Sequence, residues 1–476
     1  MKVHLGKVQL ILRYTYRLLF GLFVFLYSSC SPIKKYVRPE VQVPESYRIQ
    51  MESKSAAPKV QVTWRELFRD EQLQQYLNKA LEQNFDLEKA YLNIQIAENY
   101  LLQSKAGYFP SVSIASTFSR TKNAKNSQFG RLFSEPIEQF QMSGALSWEL
   151  DIWGKIRSGK RAAQAAYMQT IAAHQAIKTQ LIAALSTSYF QLLAWDKQIE
   201  ISKLTVSSRK SSLETMQALK IAGQVSEAAV KQSEAQIYST EILTYELKRN
   251  IQTLENAFCL LLGETPHPVI RGEFDSKNSI PEFPLDLPSQ LLANRPDVLE
   301  AEYGLVKAFE LENVARSNLY PSLNLNLNGG LQSLQAETWF SSGSLFSQII
   351  SGLTQPILNG RRNRTQLKVA ELQKEQAYLD YKKSLLNSFR EVNDALFSLH
   401  SFNEIATARK KELEANALAA EYSEALLING QANYLELLNA RQNVLLSQLR
   451  LIDAKFGSIS ASIELFKALG GARTPQ

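Results

Sequence analysis

The chain of 476 residues has only two cysteines, Cys30 and Cys259, and four histidines, His4, His174, His267 and His400. Two isolated cysteines build no disulfide framework. The histidines are scattered without the paired spacing of a metal site, so no metal is expected. No glycine-rich phosphate cradle and no nucleophile elbow occurs, so neither a catalytic site nor a cofactor is expected. Long runs of one charge are also missing. The net charge is +7, but 53 Lys and Arg are mixed with 46 Asp and Glu. Without a basic stripe, nucleic acid is not expected as a partner. The densest basic spot, Arg361, Arg362 and Arg364, falls at a helix start. With 21% charged and 45% hydrophobic residues, the chain is neither disordered nor a bundle of membrane helices. Cys259 lies in an apolar helical run and reads as a buried, inert thiol.

What is present begins with an export signal over residues 1–29. Lys2, Lys7, Arg13 and Arg17 make a basic segment, and Leu18 to Leu26 an apolar one too short to span a bilayer. Ser28 and Ser29 then precede Cys30, a pattern that resembles a lipobox, whose cysteine is acylated. Tyr27 holds the place where that pattern has Leu; the competing reading is an ordinary signal peptide. Residues 30–62 carry Pro32, Pro39, Pro44 and Pro58 without periodicity and read as an extended, lipid-anchored tether.

An internal repeat dominates the rest. Phe109-Pro110-Ser111 recurs as Tyr320-Pro321-Ser322, Gly154-Lys155 as Gly360-Arg361, Ala222-Gly223-Gln224 as Asn429-Gly430-Gln431, and Leu262-Gly263 as Leu469-Gly470. The offsets, 110 to 321, 154 to 360, 223 to 430 and 263 to 470, all lie close to 207 positions. Repeat 1 is placed at 63–265, a connector at 266–288, repeat 2 at 289–470 and a tail at 471–476.

Each repeat opens with a helix, Leu67 to Lys105 and Val298 to Ser317, after a Thr63/Glu66 capping box and a Pro296-Asp297 start. Two strands follow. Phe140, Met142, Leu146, Trp148 and Leu150 alternate with polar residues, as do Leu323, Leu325 and Leu327 with Asn324, Asn326 and Asn328, the period of a half-buried strand. The expected strands are about 111–120, 139–151, 321–330 and 344–358, the last marked by Leu345, Ile349, Leu353 and Ile357. Stretches 121–138 and 329–343 read as loops. No proline then occurs between Pro136 and Pro266 or between Pro356 and Pro475. Helical hairpins are expected at 154–263 and 361–470, turning at Gly223 and Gly430. A helix from Lys155 to Ile221 would be roughly 100 Å long.

Such a chain is not self-sufficient. A long helix packed only on its hairpin partner leaves apolar surface wet, and residues 361–428 carry too many charges for lipid. Four strands cannot close a membrane barrel, which starts at eight. An open sheet in lipid would leave edge amides unpaired at several kcal/mol each. Several chains pooling their strands would satisfy both demands; two copies would give eight strands and three would give twelve.

At this point the sequence resembles the TolC-like outer-membrane efflux family, lipoprotein branch, over nearly the whole mature chain. The residues that carry the likeness are Trp64, Phe68, Asp70, Asn84 and Asp86-Leu87 in the opening helix, the two aromatic-Pro-Ser steps, Trp148-Glu149-Leu150-Asp151-Ile152-Trp153-Gly154-Lys155, Leu291-Leu292-Ala293-Asn294-Arg295-Pro296-Asp297-Val298, Gln355-Pro356-Ile357-Leu358-Asn359-Gly360-Arg361, and Gly430-Gln431-Ala432-Asn433-Tyr434-Leu435-Glu436 through Gln442. The resemblance implies a mixed α/β membrane protein. A homotrimer would share one transmembrane antiparallel β-barrel, four strands per chain, and one long periplasmic α-helical barrel. It implies a passive exit duct for drugs or other small molecules, working with a periplasmic adaptor and an inner-membrane RND-type pump. In the family an acidic ring after the second tip glycine helps close the pore. The matching positions are Glu436 and Asn439, where Asn replaces the family's Asp. Tyr434 and Leu435 are alternatively packing residues beneath the tip. Two rival readings are a type I protein-secretion exit channel and a non-channel periplasmic coiled-coil lipoprotein; the latter leaves the amphipathic strands unexplained.

Overall fold

The computed structural model of the chain describes residues 33–42, 44, 47, 63–133, 135–274 and 295–471. Cys30, most of the tether and Leu291 to Asn294 lie outside the described residues. Two compact units emerge. One holds the described parts of 1–39, 98–166 and 305–377, the other those of 40–97, 167–304 and 378–476.

In chain order the elements are α1 (Trp64–Leu67), α2 (Glu71–Gln83), α3 (Phe85–Ala106), β1 (Ser111–Thr121), α4 (Gln128–Leu132), β2 (Ile137–Leu150), α5 (Lys155–Ile221), α6 (Glu227–Leu261), α7 (Pro296–Ser317), β3 (Ser322–Ser333), β4 (Leu345–Thr354), α8 (Arg362–Ile428) and α9 (Tyr434–Ala468). Helices α5 and α8 each have 67 residues, and α6 and α9 each have 35. Among the described residues no helix is long and apolar enough to cross a membrane.

The first unit is built on an antiparallel sheet of order β1-β2-β3-β4. Directly paired residues share a face. Val112 faces Leu146, Phe118 faces Phe140, Trp148 faces Leu325, Leu146 faces Leu327, and Leu327 faces Ile349. These pairs make one face continuously apolar across all four strands. On the other face Ser113, Ala145 and Asn328 line up, as do Thr117, Gln141 and Gln332; Ile137, Phe346 and Ile350 are its large apolar exceptions. At one end Phe118, Phe140, Trp339 and Phe340 stack in succession with centroids 4.9–5.6 Å apart. At the other, Trp153 packs on Tyr320 at 5.2 Å and donates to the Pro321 carbonyl at 2.7 Å.

Several sequence expectations need correction here. The opening segment of repeat 1 is three helices. Asn84 is extended, caps the end of α2, accepts from the Asp86 and Leu87 amides at 3.0 Å and donates to Leu261. A side chain that caps both ways competes with the helix and interrupts it. Residues 329–333 continue β3 because they pair with β2 and β4, and 128–132 form α4 inside the expected first loop. Strand β4 ends at Thr354, so Ile357 lies beyond it and is 84% exposed. Pro356 has no amide hydrogen to continue a ladder.

The second unit is helical. Trp64, Phe68, Leu73 and Leu77 pack with Leu185, Tyr189 and Leu192 of α5, Phe258 and Cys259 of α6, and Ile463 and Phe466 of α9. Arg295, 4% exposed, binds Asp297 at 2.8 Å, Glu391 of α8 at 2.5 Å and the Ala468 carbonyl at 2.7 Å. Burial pulls its pKa down, but Asp297 and Glu391 outweigh that and leave it above the ordinary value. Elsewhere, Arg271 binds Asp196 and Glu255.

Candidate functional site at the hairpin tips

Both hairpins turn by the same local chemistry. Helix α5 ends with Gly223 at φ +73°, whose amide donates to Lys220, while Gln224 reaches back to Leu219. Helix α8 ends with Gly430 at φ +70°, whose amide donates to Leu427, while Gln431 reaches Leu426. This is the Schellman termination, which needs a left-handed residue and favours glycine. A Cβ at either position would meet nothing within 4 Å, so the glycines serve the turn alone. Three residues later Ser226 caps α6 and Asn433 caps α9, each side chain accepting from an amide of the first turn.

Glu436 lies in the first turn of α9, its amide donating to Asn433 Oδ1 at 3.0 Å. Asn439 follows three residues on, the spacing that puts both on one helix face. Both are exposed in the single chain. Leu437 and Leu438, between them, are buried. Tyr434 is half-buried, with its hydroxyl 2.9 Å from Ser233 Oγ of α6, whereas Leu435 is 45% exposed.

Around these positions lies a polar lattice that pattern reading did not single out. Arg209 of α5 donates to the Gln236 carbonyl and Thr240 Oγ1 of α6, both at 2.5 Å, and to Gln442 of α9. No carboxylate joins this set, and burial pulls the Arg209 pKa down. Arg441 of α9 donates to Ser212 of α5 at 2.6 Å and pairs with Glu424 of α8 at 2.9 Å. Lys210 pairs with Glu241 at 3.1 Å, and Lys220 with Glu227 across the first tip. One arginine with three acceptors on two neighbouring helices is a brace. Its only sequence signal was a cation within a helix stretch that also faces inward.

The described histidines stay apart. His267 contacts Glu264 at 3.1 Å, His400 lies 3.6 Å from Glu404, and His174, half-buried, has its pKa lowered by burial and by Lys178. Among the described residues no group of three or more His, Cys, Asp or Glu is placed to hold a metal ion.

Residues 76–264 and 287–471 match the family model described as "Outer membrane efflux protein". The chain is 27% identical over 453 residues to "Probable outer membrane lipoprotein SilC" of Salmonella typhimurium, covering 94% of this chain and 97% of that one. It is 28% identical over 451 residues to "Cation efflux system protein CusC" of Escherichia coli K12, covering 93% and 96%. A crystal structure of CusC superposes with a TM-score of 0.84 at 26% identity over 93% of this chain and 100% of that chain. The solved neighbour is a channel with a helical barrel and a β domain, and this chain likewise has a four-stranded sheet and two long helical hairpins. The chain therefore belongs to the outer membrane efflux protein family and serves in the outer membrane as an exit duct for efflux.

Proposed function

We propose that three copies of the chain share one twelve-stranded barrel and one helical tunnel. They conduct small molecules passed on by a periplasmic adaptor and an inner-membrane RND-type pump. The observation that carries this reading is the sheet. Strands β1 and β4 each have a partner on one side only among the described residues, and every residue of β1 is exposed. Edge amides in hydrocarbon cost several kcal/mol each, and a barrel removes the edges. Strands of 10–14 residues are long enough to span a bilayer at a tilt. The apolar sheet face would meet lipid and the Ser, Gln and Asn face the lumen. The exposed apolar side chains Leu372, Leu379 and Leu386 of α8 would be covered by a neighbouring copy. The equal helix lengths support a duplicated module.

Glu436 would approach its copies around the axis at the tips, with Asn439 beside it, forming a single acidic ring that helps to close the pore. Gly223 and Gly430 would face the adaptor. Cys30 would carry the lipid anchor, in keeping with the lipoprotein name of SilC. The duct performs no chemistry; the pump supplies the free energy. The CusC name makes cations one cargo class to try beside drugs.

Paired cysteines placed between 112–118 of β1 and 345–351 of β4 test the shared barrel. Oxidised membranes should give a covalent trimer on a denaturing gel. A chain that stays monomeric across the scan, and monomeric and folded in detergent, would refute it.

A further inference from the structure

The base of the sheet, where Ser111, Leu150, Ser322 and Thr354 lie, carries an unbalanced charge. Four acids there are neutralised. Glu149 pairs with Lys155 at 3.0 Å, Asp151 with Arg157 at 3.3 Å, Glu310 with Arg161 at 2.6 Å, and Glu312 with Lys374 at 2.6 Å and with Arg316. At this end of the sheet six exposed bases have no carboxylate partner among the described residues: Lys34, Lys35, Lys105, Arg361, Arg362 and Arg364.

Local contacts bring them to one level. The tether segment is clamped at Lys34, whose amide donates to buried Asn313 at 3.2 Å and whose carbonyl accepts from it at 3.0 Å. The arginine segment is tied to the same end of α7, because Asn363 donates to the Asn318 carbonyl at 2.7 Å. Lys105 sits in the last turn of α3, and a Cβ at nearby Gly107 would lie 3.5 Å from Ile156 of α5. The surplus follows directly behind the Trp153–Tyr320 ring pair and the end of the apolar sheet face. Aromatic rings followed by cations are what a membrane–water boundary selects. Arg361 adds an independent sign. At φ +63° it is the only described residue other than glycine in the left-handed region, a conformation that glycine would hold without strain.

We propose that these six side chains form a basic collar that binds the phosphate head groups of acidic phospholipids in the leaflet where the sheet ends. The inference rests on the barrel reading above. Each Lys or Arg near an anionic leaflet adds attraction that salt weakens.

The test uses the full-length protein in nanodiscs of equimolar phosphatidylglycerol and phosphatidylcholine, with retained lipids counted by native mass spectrometry. The parent should keep phosphatidylglycerol over phosphatidylcholine by roughly fivefold. Arg361→Gln/Arg362→Gln/Arg364→Gln should bring the ratio near one, and high salt should lower it in the parent. Arg361→Gly guards against misfolding: it should melt at or above the parent temperature and still lose part of the preference. Arg120→Gln/Lys122→Gln, at the opposite end of the sheet, should retain it. An unchanged ratio in both collar variants overturns the collar. A parent that enters discs as an oligomer but shows no preference also overturns it, leaving the barrel standing. Failure of the parent to enter as an oligomer overturns both.

Discussion

Ser233 Oγ and Tyr434 Oη lie 2.9 Å apart, joining the helix after the first tip to the helix after the second. With Arg209 bridging α5, α6 and α9, and Arg441 bridging α5, α8 and α9, the tips are braced by hydrogen bonds. Such bonds each contribute about 0.5–1.5 kcal/mol net, a scale at which a brace can hold and still be released.

Arg209→Leu removes the donor to Gln236, Thr240 and Gln442. It should lower stability by about 2 kcal/mol and raise the conductance of the closed channel in planar bilayers. Arg209→Lys should recover only part, because an ammonium lacks the planar fork that reaches three acceptors. Parental conductance in both variants would show that the brace does not restrain the tips.

Glu436→Ala should leave the fold intact, since the side chain is exposed, while making the closed channel leakier and the cells more antibiotic-permeable. Asn439→Asp should act in the opposite direction by adding a second ring of charge. If neither conductance nor uptake changes, Glu436 is simply a solvated residue of the first turn.

Arg295→Met leaves Glu391 and the Ala468 carbonyl without their buried partner. Breaking one side of a buried ion pair costs about 3–5 kcal/mol, and a loss of that size in the unfolding free energy is expected from denaturant titration. Glu391→Gln should cost less, because Asp297 still holds the guanidinium. Equal losses would mean that Asp297 contributes nothing.

Acidity should separate two carboxylates. Burial raises the Asp453 carboxyl above its ordinary range, and the Gln198 donor at 2.7 Å offsets this only in part. Its folded form therefore holds the proton more tightly than the unfolded chain. The resulting destabilisation is absent below the ordinary Asp value of about 3.9 and grows as pH rises through the folded value. Asp453→Asn should raise the melting temperature at neutral pH and leave it unchanged in strong acid. Glu312 behaves oppositely. Burial raises its pKa, but Lys374 and Arg316 outweigh that and hold it below its ordinary value, so its contribution is lost on acidification. A benefit of Asp453→Asn that grows as pH falls would refute the assignment.

The elements legible in the sequence were those written in near neighbours. Leu323, Leu325 and Leu327 alternate because a strand turns its side chains over every residue. Gly223-Gln224 and Gly430-Gln431 mark the tips because a helix end needs a left-handed residue within its own last turn. What the tertiary structure alone decided was partnership at a distance. The pairing of β2 with β3 joins the two halves into one sheet. The side-chain amide of Asn84, where the opening helix breaks, finds the Leu261 carbonyl far along the chain. Arg209 finds Gln442, and Arg295 finds Glu391, only because folding sets those helices side by side. A run of residues encodes its own hydrogen-bond period, whereas a buried cation's partner depends on which other segment packs against it. Linear spacing carries no record of that choice.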